Sequence, residues 1–371
     1  MQKIKRLARL TVVLLIAALL GGCSGITQSN TDKLSADAER VVTDMLGRSV
    51  TLPAAVKKVV AIGPGALRLY CYAGTTDMVA GIEQKDISEA TGKPYLLANP
   101  SLQQLPVIGP GGPNNAPDPE KILDTAPDVI FSTYAADTAA ADELQAKTGI
   151  PVVALSYGDT SEFDPAVYDS LELIGKITGQ SDKAQAAITF MKQCQQDLND
   201  RTKVIADEFK PKVYVGALSM KGTHGIESTQ GEYALLDVLH ALNVVDETGK
   251  TGSVMIDKEK LLDWNPDIIF IDAAGYSFVR EDYKNNRGFY DSLDAFAKGQ
   301  VYSQLPYKNY STNIDTAIAN AYYLGKIIYP DAFTDVDPVK KADEIYQALL
   351  GQPLYKQMEK DFGGFHTLSF D

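Results

Sequence analysis

A segment of fourteen residues occurs twice in this chain, at positions 139 residues apart. Residues 118–131 read DPEKILDTAPDVIF and residues 257–270 read DKEKLLDWNPDIIF, with nine identical positions. In each copy the charged residues open a short helix whose leucine faces inward, a proline ends the helix, and a β-branched run follows as a buried strand. Chance could repeat such an α/β pattern, but the pattern does not require the glutamate that both copies share at Glu120 and Glu259. The repeat therefore predicts two similar α/β lobes.

Apolar runs that are followed by Gly, Pro or Asp predict the strands of both lobes. In the first lobe we expect strands at Val59–Ile62, Val79–Ile82, Pro106–Ile108 and Val152–Leu155, and a helix at Asp137–Thr148. In the second lobe we expect a strand at Lys212–Gly216, a helix at Tyr233–Leu242 and a strand at Ile268. This alternation is typical of mainly parallel sheets flanked by helices.

Residues 165–209 contain few strand signals and lie between the two predicted lobes. Gly179 closes one helix, and Ser181 is expected to cap a second helix that continues at helical spacing through Val204 and Ile205. A helix of about 27 residues spans about 40 Å at roughly 1.5 Å per residue, which is enough to bridge two domains. We therefore expect lobes at 37–162 and 210–371, joined by a helical segment at 163–209 that limits their closure to a small rocking motion.

The N-terminal residues combine a basic head with a short apolar run. Four Lys and Arg residues precede residues 10–20, which are about half the roughly 20 apolar residues that a membrane span needs. The run ends in LGGC at positions 20–23, which resembles the lipobox of bacterial lipoproteins. An N-terminal anchor that is never cut is the alternative. The resemblance implies a signal peptide at 1–22, lipidation of Cys23, a flexible tether at 23–36, and an extracytoplasmic protein held at the membrane by lipid.

Net charge and cysteine usage restrict the partners. The formal charge is -13, and removal of the four basic signal residues makes it -13 - 4 = -17. This negative balance argues against nucleic acid as a partner, because binding to it needs clustered Lys and Arg. Beyond Cys23 the chain has Cys71 and Cys194, which could pair in an oxidising compartment, but we expect two free, buried thiols because both lie in predicted helices of different parts of the chain.

The segment from Thr43 to Pro53, followed by KKVVAI at 57–62, resembles the opening of the helical-backbone solute-binding proteins that serve iron-siderophore, haem and cobalamin ABC importers. The likeness extends to the two PD-hydrophobic strand starts, the loop GGPNN at 111–115 and the bridging helix. It implies a binding protein with no cofactor of its own, which captures a small metal chelate and delivers it to a permease and its ATPase. The family carries one exposed acidic residue on each lobe for docking to the permease, and the matching positions are Glu120 and Glu259. An acidic residue in a first helical turn is also favourable for the helix dipole alone.

The chain departs from the family after its first strand. Family members have SPS and then, two residues later, a glutamate, whereas this chain reads GPGALR, so Arg68 stands where an acid is usual. If Arg68 points into the cleft, its planar donors suit an anionic chelate, and if it lies along the following helix, it pairs with a surface carboxylate.

Ligands of parallel sheets bind at loops that follow the carboxyl ends of the strands. The candidate ligand-binding residues in these loops are Arg68, Asn114, Tyr134, Tyr157, Lys221, His224, Tyr276, Arg280, Tyr307 and Tyr310. The tyrosines can stack on a flat ligand, donate hydrogen bonds to its carboxylates or bind ferric iron as phenolates. His224 is the one histidine in a mouth-like loop, and it is either a metal or haem contact or a solvent-exposed loop residue. Because the three histidines do not cluster in the sequence, capture of bare zinc or manganese is disfavoured.

Catalytic signatures are missing from the sequence. It has no G-x-S-x-G and no H-E-x-x-H, and the GKT at 249–251 lacks the earlier glycine of a phosphate loop, since Val244 occupies that place. We therefore expect a receptor and not an enzyme, with a structural or adhesion role as a further alternative. Among ligands a ferric siderophore ranks first, haem or cobalamin next, and an oxyanion such as molybdate last.

Overall fold

Two parallel four-stranded sheets form the frame of the described part of the chain. The structure, a computed structural model, describes residues 40–88, 90–112, 115–160, 162–219 and 221–370. Cys23, Asn114, the predicted signal peptide and the predicted tether lie outside these residues. The boundaries expected for the lobes stay a prediction.

The first sheet has the strand order β4-β3-β5-β6 and every neighbouring pair is parallel. Its strands are β3 (Val59–Ile62), β4 (Val79–Gly81), β5 (Val129–Ser132) and β6 (Val152–Ala154). A hairpin of β1 (Arg40–Thr43) and β2 (Ser49–Leu52) precedes it. Strands β3, β5 and β6 are buried throughout, as expected for a parallel sheet covered by helices on both faces.

The second sheet has the order β12-β11-β7-β9 and is also parallel. Its strands are β7 (Lys212–Gly216), β9 (Leu242–Asn243), β11 (Ile268–Asp272) and β12 (Val301–Gln304). An antiparallel pair of β8 (Ser228–Gly231) and β10 (Gly252–Met255) lies beside it. The expected two-lobe α/β architecture is confirmed.

Fifteen α-helices occur in the described residues. They are α1 (Ala66–Ala73), α2 (Gln84–Ser88), α3 (Pro94–Ala98), α4 (Pro119–Asp124), α5 (Thr138–Thr148), α6 (Pro165–Thr178), α7 (Ser181–Thr202), α8 (Ala234–Asp237), α9 (Lys258–Trp264), α10 (Tyr276–Asn285), α11 (Arg287–Asp291), α12 (Asp294–Ala297), α13 (Ile314–Ile328), α14 (Pro338–Leu350) and α15 (Tyr355–Phe362). In the part of the chain that the structure describes, no helix is long and apolar enough to cross a membrane.

The sequence repeat forms the same joint in both lobes. Asp128 donates its backbone N–H to the carbonyl oxygen of Lys58 at 2.8 Å, and Asp267 donates equivalently to Lys212 at 2.8 Å. The carboxylates of both aspartates also accept hydrogen bonds from the backbone N–H at the start of the neighbouring strand, from Lys58 at 2.9 Å and from Lys212 at 2.8 Å. In each copy the aspartate thus joins the starts of two neighbouring strands by hydrogen bonds, β3 and β5 in the first lobe and β7 and β11 in the second. This is a structural reason for the shared aspartate.

The shared leucine of the repeat is exposed in the first copy, contrary to expectation, whereas Leu262 of the second copy is partly buried against the core of its lobe. Leu123 is 44% exposed, and the residue before it in each copy, Ile122 or Leu261, is buried instead. Helices α4 and α9 cover six and seven residues, and the buried side chains are Ile122 in α4 and Leu261 and Trp264 in α9.

Helix α7 is shorter than the sequence pattern predicted. It spans 22 residues, about 33 Å at roughly 1.5 Å per residue, and ends at Thr202, so Val204 and Ile205 lie beyond it. Val204 is exposed and therefore provides no apolar contact to offset the low helix propensity of β-branched residues. Ser181 is the first residue of the helix, and Gln180 occupies the cap position. Gly179 ends α6 in the left-handed conformation, as predicted.

Two other predicted elements are smaller than expected. The helix expected at Tyr233–Leu242 is limited to α8, because the chain turns at His240 with a φ of 50° and Leu242 then pairs with Lys212 as an edge strand. The strand expected at Pro106–Ile108 is a single bridge between Val107 and Ile82, since Pro106 has no N–H to extend a ladder.

One apolar cluster extends through both lobes, and each lobe has a further cluster of its own. Buried residues of the first sheet, of α7, of α13 and of the second sheet belong to a single cluster that includes Val59, Met191, Val213 and Ile318. Helix α14 contacts both α1 and α7, and α13 contacts α7, α8 and α14, so the connecting helix α7 lies within a layer of helices. Cys71 and Cys194 are buried and free, as expected.

Candidate functional site

A cavity of about 940 Å³ lies between the carboxyl edges of the two sheets. The first lobe lines it with Pro64, Lys85, Ser88, Thr91 and Gly92. The second lobe lines it with Ser219, Lys221, Gly222, Thr223, Ala274, Pro306, Lys308, Asn309, Tyr310, Ser311 and Phe362. These residues follow β3, β4, β7, β11 and β12, as expected for a ligand site at the ends of parallel strands.

The lining is cationic and rich in hydroxyl groups. Among the described lining residues there are three lysines, Lys85, Lys221 and Lys308, and no carboxylate. Five Ser and Thr side chains supply hydroxyl groups that can donate hydrogen bonds. Such a surface attracts anions and gives a bare cation no acidic ligand. In the described residues no group of three or more His, Cys, Asp or Glu is placed to hold a metal ion.

Arg68 lies beneath the cavity and joins the two lobes. Its side chain is 0% exposed, and its guanidinium lies over the ring of Tyr95 at 4.9 Å. It donates hydrogen bonds to Asn313 Oδ1 at 2.7 Å, Asn309 O at 2.7 Å, Tyr310 O at 3.1 Å and Tyr157 Oη at 3.2 Å. Neither sequence-based alternative describes this arrangement, because the donors of Arg68 are engaged by a loop of the second lobe and by Tyr157 of the first lobe, and not by a cleft anion or a surface carboxylate.

Residues 309–313, which we name the clasp loop, reach from the second lobe to the first. Tyr310 donates its hydroxyl to Glu83 Oε2 at 2.7 Å and accepts a hydrogen bond from the Gly112 N–H at 2.8 Å. Asn313 and Asn309 donate side-chain N–H groups to the carbonyl oxygens of Gly92 and Thr91 at 2.8 and 3.0 Å. The clasp loop therefore fixes one wall of the cavity to the first lobe.

Glu83 is the acidic member of this joint. It is buried and also accepts a hydrogen bond from the Gly63 N–H at 3.0 Å. Burial raises the pKa of Glu83 to about 7, although the hydrogen bond from Tyr310 acts in the opposite direction. The charge state of the joint consequently changes near neutral pH.

Lys221 and Tyr310 are the two sequence candidates that line the cavity. Lys221 has a φ of 52°, so its backbone is in the left-handed region and is not extended like a strand. Tyr310 contributes a wall, but its hydroxyl is already engaged by Glu83 and Gly112.

Tyr157 and Tyr134 lie close to the cavity in the first lobe. Tyr157 donates its hydroxyl to Gly65 O at 3.0 Å and lines a smaller neighbouring cavity of about 330 Å³. The backbone of Tyr134 packs against Gly63, where a Cβ atom would come within 2.5 Å of the Tyr134 nitrogen. This close approach explains why the chain has glycine at 63, at a φ of 92°.

Tyr307 lies in the core and not at the rim where the sequence analysis put it. Its side chain is 0% exposed, with its ring centroid 6.5 Å from that of Tyr233. The loop after β12 turns at Pro306, so Tyr307 points into the protein while its neighbour Lys308 reaches the cavity.

Tyr276, Arg280 and His224 do not line the cavity. Tyr276 donates its hydroxyl to Ser369 O at 3.1 Å and packs edge-on against Phe370, and Arg280 is exposed one turn further along α10. His224 is half-buried, and its carbonyl oxygen lies against Gly275. Of the described residues in the second-lobe loop that it shares with Lys221, residues 219 and 221–223 line the cavity.

Several site residues escaped the sequence analysis. Lys308 lies in the sequence between the candidates Tyr307 and Tyr310, so its cationic side chain was the available signal. Lys85 lies on α2 and Phe362 ends α15. Nothing in their local pattern indicates that they meet at the cavity, since only the tertiary packing brings them there.

Glu120 and Glu259 occupy equivalent places in the two lobes. Each is exposed and lies in the first turn of its helix, α4 or α9. Each helix is followed in the chain by a central strand of its lobe, β5 after α4 and β11 after α9. Both glutamates therefore lie at corresponding surface positions on the two lobes.

Comparison with known proteins gives a consistent set of matches. The sequence profile of the family described as Periplasmic binding protein matches residues 59–306. The molybdate-binding protein MolA of Haemophilus influenzae is 27% identical over 354 residues, which cover 90% of this chain and 95% of MolA. The uncharacterized ABC transporter substrate-binding lipoprotein YvrC of Bacillus subtilis is 24% identical over 336 residues, covering 89% of this chain and 99% of YvrC.

Solved structures with the same fold extend these matches. A periplasmic solute binding protein from Veillonella parvula superposes with a TM-score of 0.69 at 19% identity, covering 88% of this chain and 97% of that one. The structure of MolA bound to molybdate superposes with a TM-score of 0.66 at 21% identity, covering 85% of this chain and 98% of MolA.

Proposed function

Since this chain belongs to the periplasmic binding protein family, whose members are solute-binding proteins of ABC transporters, we propose that its cleft captures an anionic iron complex, with a ferric siderophore as the first candidate. The protein would deliver this ligand to the permease and ATPase of an importer. A haem or cobalamin ligand is the alternative within the same fold.

The cation-lined cavity is the observation that carries the proposal. Three lysines and five hydroxyl side chains surround a volume of about 940 Å³. A volume near the upper end of the roughly 300–1,000 Å³ of small-molecule sites suits a large chelate better than a small tetrahedral ion. The cationic lining suits a chelate that keeps a net negative charge after binding ferric iron.

A molybdate-type oxyanion is the second candidate. Its support is the 27% identity to a molybdate-binding protein over 90% of this chain. Lysine and hydroxyl groups are suitable donors to an oxyanion as well. In this conformation, however, the cavity is far larger than one oxyanion needs.

Binding measurements with matched variants test the ligand class. We expect K221Q and K308Q each to weaken binding of a ferric catecholate siderophore about tenfold in calorimetric titrations at low salt. K340Q, at a highly exposed lysine outside the cavity, should bind like the wild type. Native mass spectrometry and metal analysis of protein recovered from its own cells should detect iron in a bound chelate. Molybdenum in place of iron would favour the second candidate, and loss of affinity in K340Q alone would contradict this site.

Docking through Glu120 and Glu259 is part of the proposal. Two exposed glutamates at equivalent places on the two lobes suit a permease that contacts both lobes at once. A lipid anchor at Cys23 would hold the protein at the membrane beside that permease. Radiolabelled palmitate incorporation into the wild type, compared with C23A, tests the anchor; equal labelling of the two would contradict it.

A further inference from the structure

The cleft lysine Lys308 contacts a buried carboxyl group from the other side of the interlobe junction. Lys308 Nζ lies 3.6 Å from Glu162 Oε1 and donates a hydrogen bond to Gln230 Oε1 at 3.0 Å. Its side chain retains 27% of its exposure, and it lines the cavity described above. One ammonium group is therefore shared between the ligand cavity and a buried acid.

Glu162 is a buried acid that also has the hydroxyl of Tyr307 as a polar neighbour. The residue is 3% exposed, and neither carboxylate oxygen makes a hydrogen bond with any described residue. It borders a second interlobe cavity of about 710 Å³, on the side of α7 and α8, away from the ligand cavity. A buried carboxylate needs a paired charge, and the ion pair that the described residues provide is the one with Lys308.

The other groups around Lys308 compensate its charge only in part. Gln230 is neutral, and the Tyr307 ring lies 5.5 Å from the ammonium group. Asp272, at the carboxyl end of β11, is a second nearby acid; burial raises its pKa to about 7, while Lys308 acts to lower that pKa. Glu162 is thus the acid in ion-pair contact with Lys308.

We propose that Glu162 is a positioning residue that competes with an anionic ligand for Lys308 and so lowers the affinity of the cleft to a releasable level. This inference rests on the proposed function, in which the ligand is an anion. An anion bound at Lys308 would lie a few ångströms from the carboxylate of Glu162, in a desolvated region where repulsion is poorly screened. Removal of the negative charge should therefore tighten binding, whereas damage to the fold would weaken it.

The test is calorimetric titration of sodium molybdate and of a ferric catecholate siderophore into the full chain at low salt. We expect E162Q to bind whichever probe the wild type binds about tenfold more tightly, equivalent to about 1.4 kcal/mol. Q230E, which places a second carboxylate on Lys308, should bind about tenfold more weakly. D237N removes an acid that borders the same second cavity but makes no ion pair with Lys308, and it should leave the affinity within twofold.

A double-mutant cycle shows whether the effect passes through Lys308. In the K308Q background, E162Q should no longer change the affinity, and the gain seen in the single variant should shrink as salt is raised. Wild-type binding with no gain in E162Q, or a gain that persists in K308Q, overturns this inference and leaves the proposed function intact. If neither probe binds the wild type or any variant, the anionic ligand of the proposed function and this inference fall together. Should E162Q not fold, an unchanged affinity in Q230E overturns the inference.

Discussion

Replacement of Arg68 by methionine should loosen the junction between the lobes. Arg68 donates four hydrogen bonds, three of them to residues of the clasp loop, and it is 0% exposed. Methionine fills a similar volume but leaves the acceptors without a donor.

The expected loss of stability follows from those vacated acceptors. Each buried acceptor left unsatisfied costs about 1–3 kcal/mol, but neighbouring acceptors relax together and their costs do not simply add. Removal of a buried guanidinium also relieves its desolvation cost, which offsets part of the loss. We therefore expect R68M to lower the free energy of unfolding by about 3–5 kcal/mol, with weaker ligand binding because the clasp loop forms a wall of the cavity.

Urea denaturation followed by circular dichroism measures the change, provided that the transition is two-state. R280M is the matched control, since Arg280 is exposed on α10, and it should change the unfolding free energy by less than about 0.5 kcal/mol. R68K keeps the charge but not the planar set of donors, so it should recover only part of the loss. A change below about 1 kcal/mol in R68M would refute the role assigned to these hydrogen bonds.

Three further predictions concern other parts of the molecule. Burial raises the pKa of Glu83 to about 7 in the folded protein. The contribution of the protonated carboxyl group to the free energy of unfolding is therefore fully present below about pH 4.5 and is lost as the pH rises through 7. We expect E83Q to reduce the fall in stability between about pH 5 and 8. Charge reversal at Glu120 and Glu259 together should abolish uptake by cells while leaving ligand affinity unchanged; loss of affinity would contradict docking. Burial raises the pKa of Cys71 to about 12 and that of Cys194 to about 11. Neither thiol should therefore react with a thiol reagent at about pH 8 until the protein is unfolded. Rapid reaction of the native protein would show that the burial is incomplete.

Much of the fold was predictable because it depends on local patterns. Residues close together in the chain were enough to predict the strand at Val59–Ile62, the helix that ends at Gly179 and the strand that follows each copy of the repeat. The errors occurred where local pattern and packing disagree. Helix α7 ends at Thr202 although apolar residues continue at helical spacing, because Val204 meets solvent and not another helix.

The ligand site was predictable only as a set of loops. The rule that ligands bind at the carboxyl ends of parallel strands selected Lys221 and Tyr310, which line the cavity. It could not distinguish Tyr307, which is buried, from Lys308, which follows it and lines the cavity. Side chains of adjacent loop residues point in different directions, and no periodic rule tells which one faces the ligand.

By itself the sequence determined two lobes, their parallel sheets and the helical connection, since the repeat and the apolar runs depend on interactions between residues close in the chain. Only the tertiary structure decided that Arg68 fastens the clasp loop and that Glu162 meets Lys308. The clasp-loop partners of Arg68 are more than 200 residues away and Glu162 lies 146 residues before Lys308, so these contacts exist only after both lobes have folded and packed against each other.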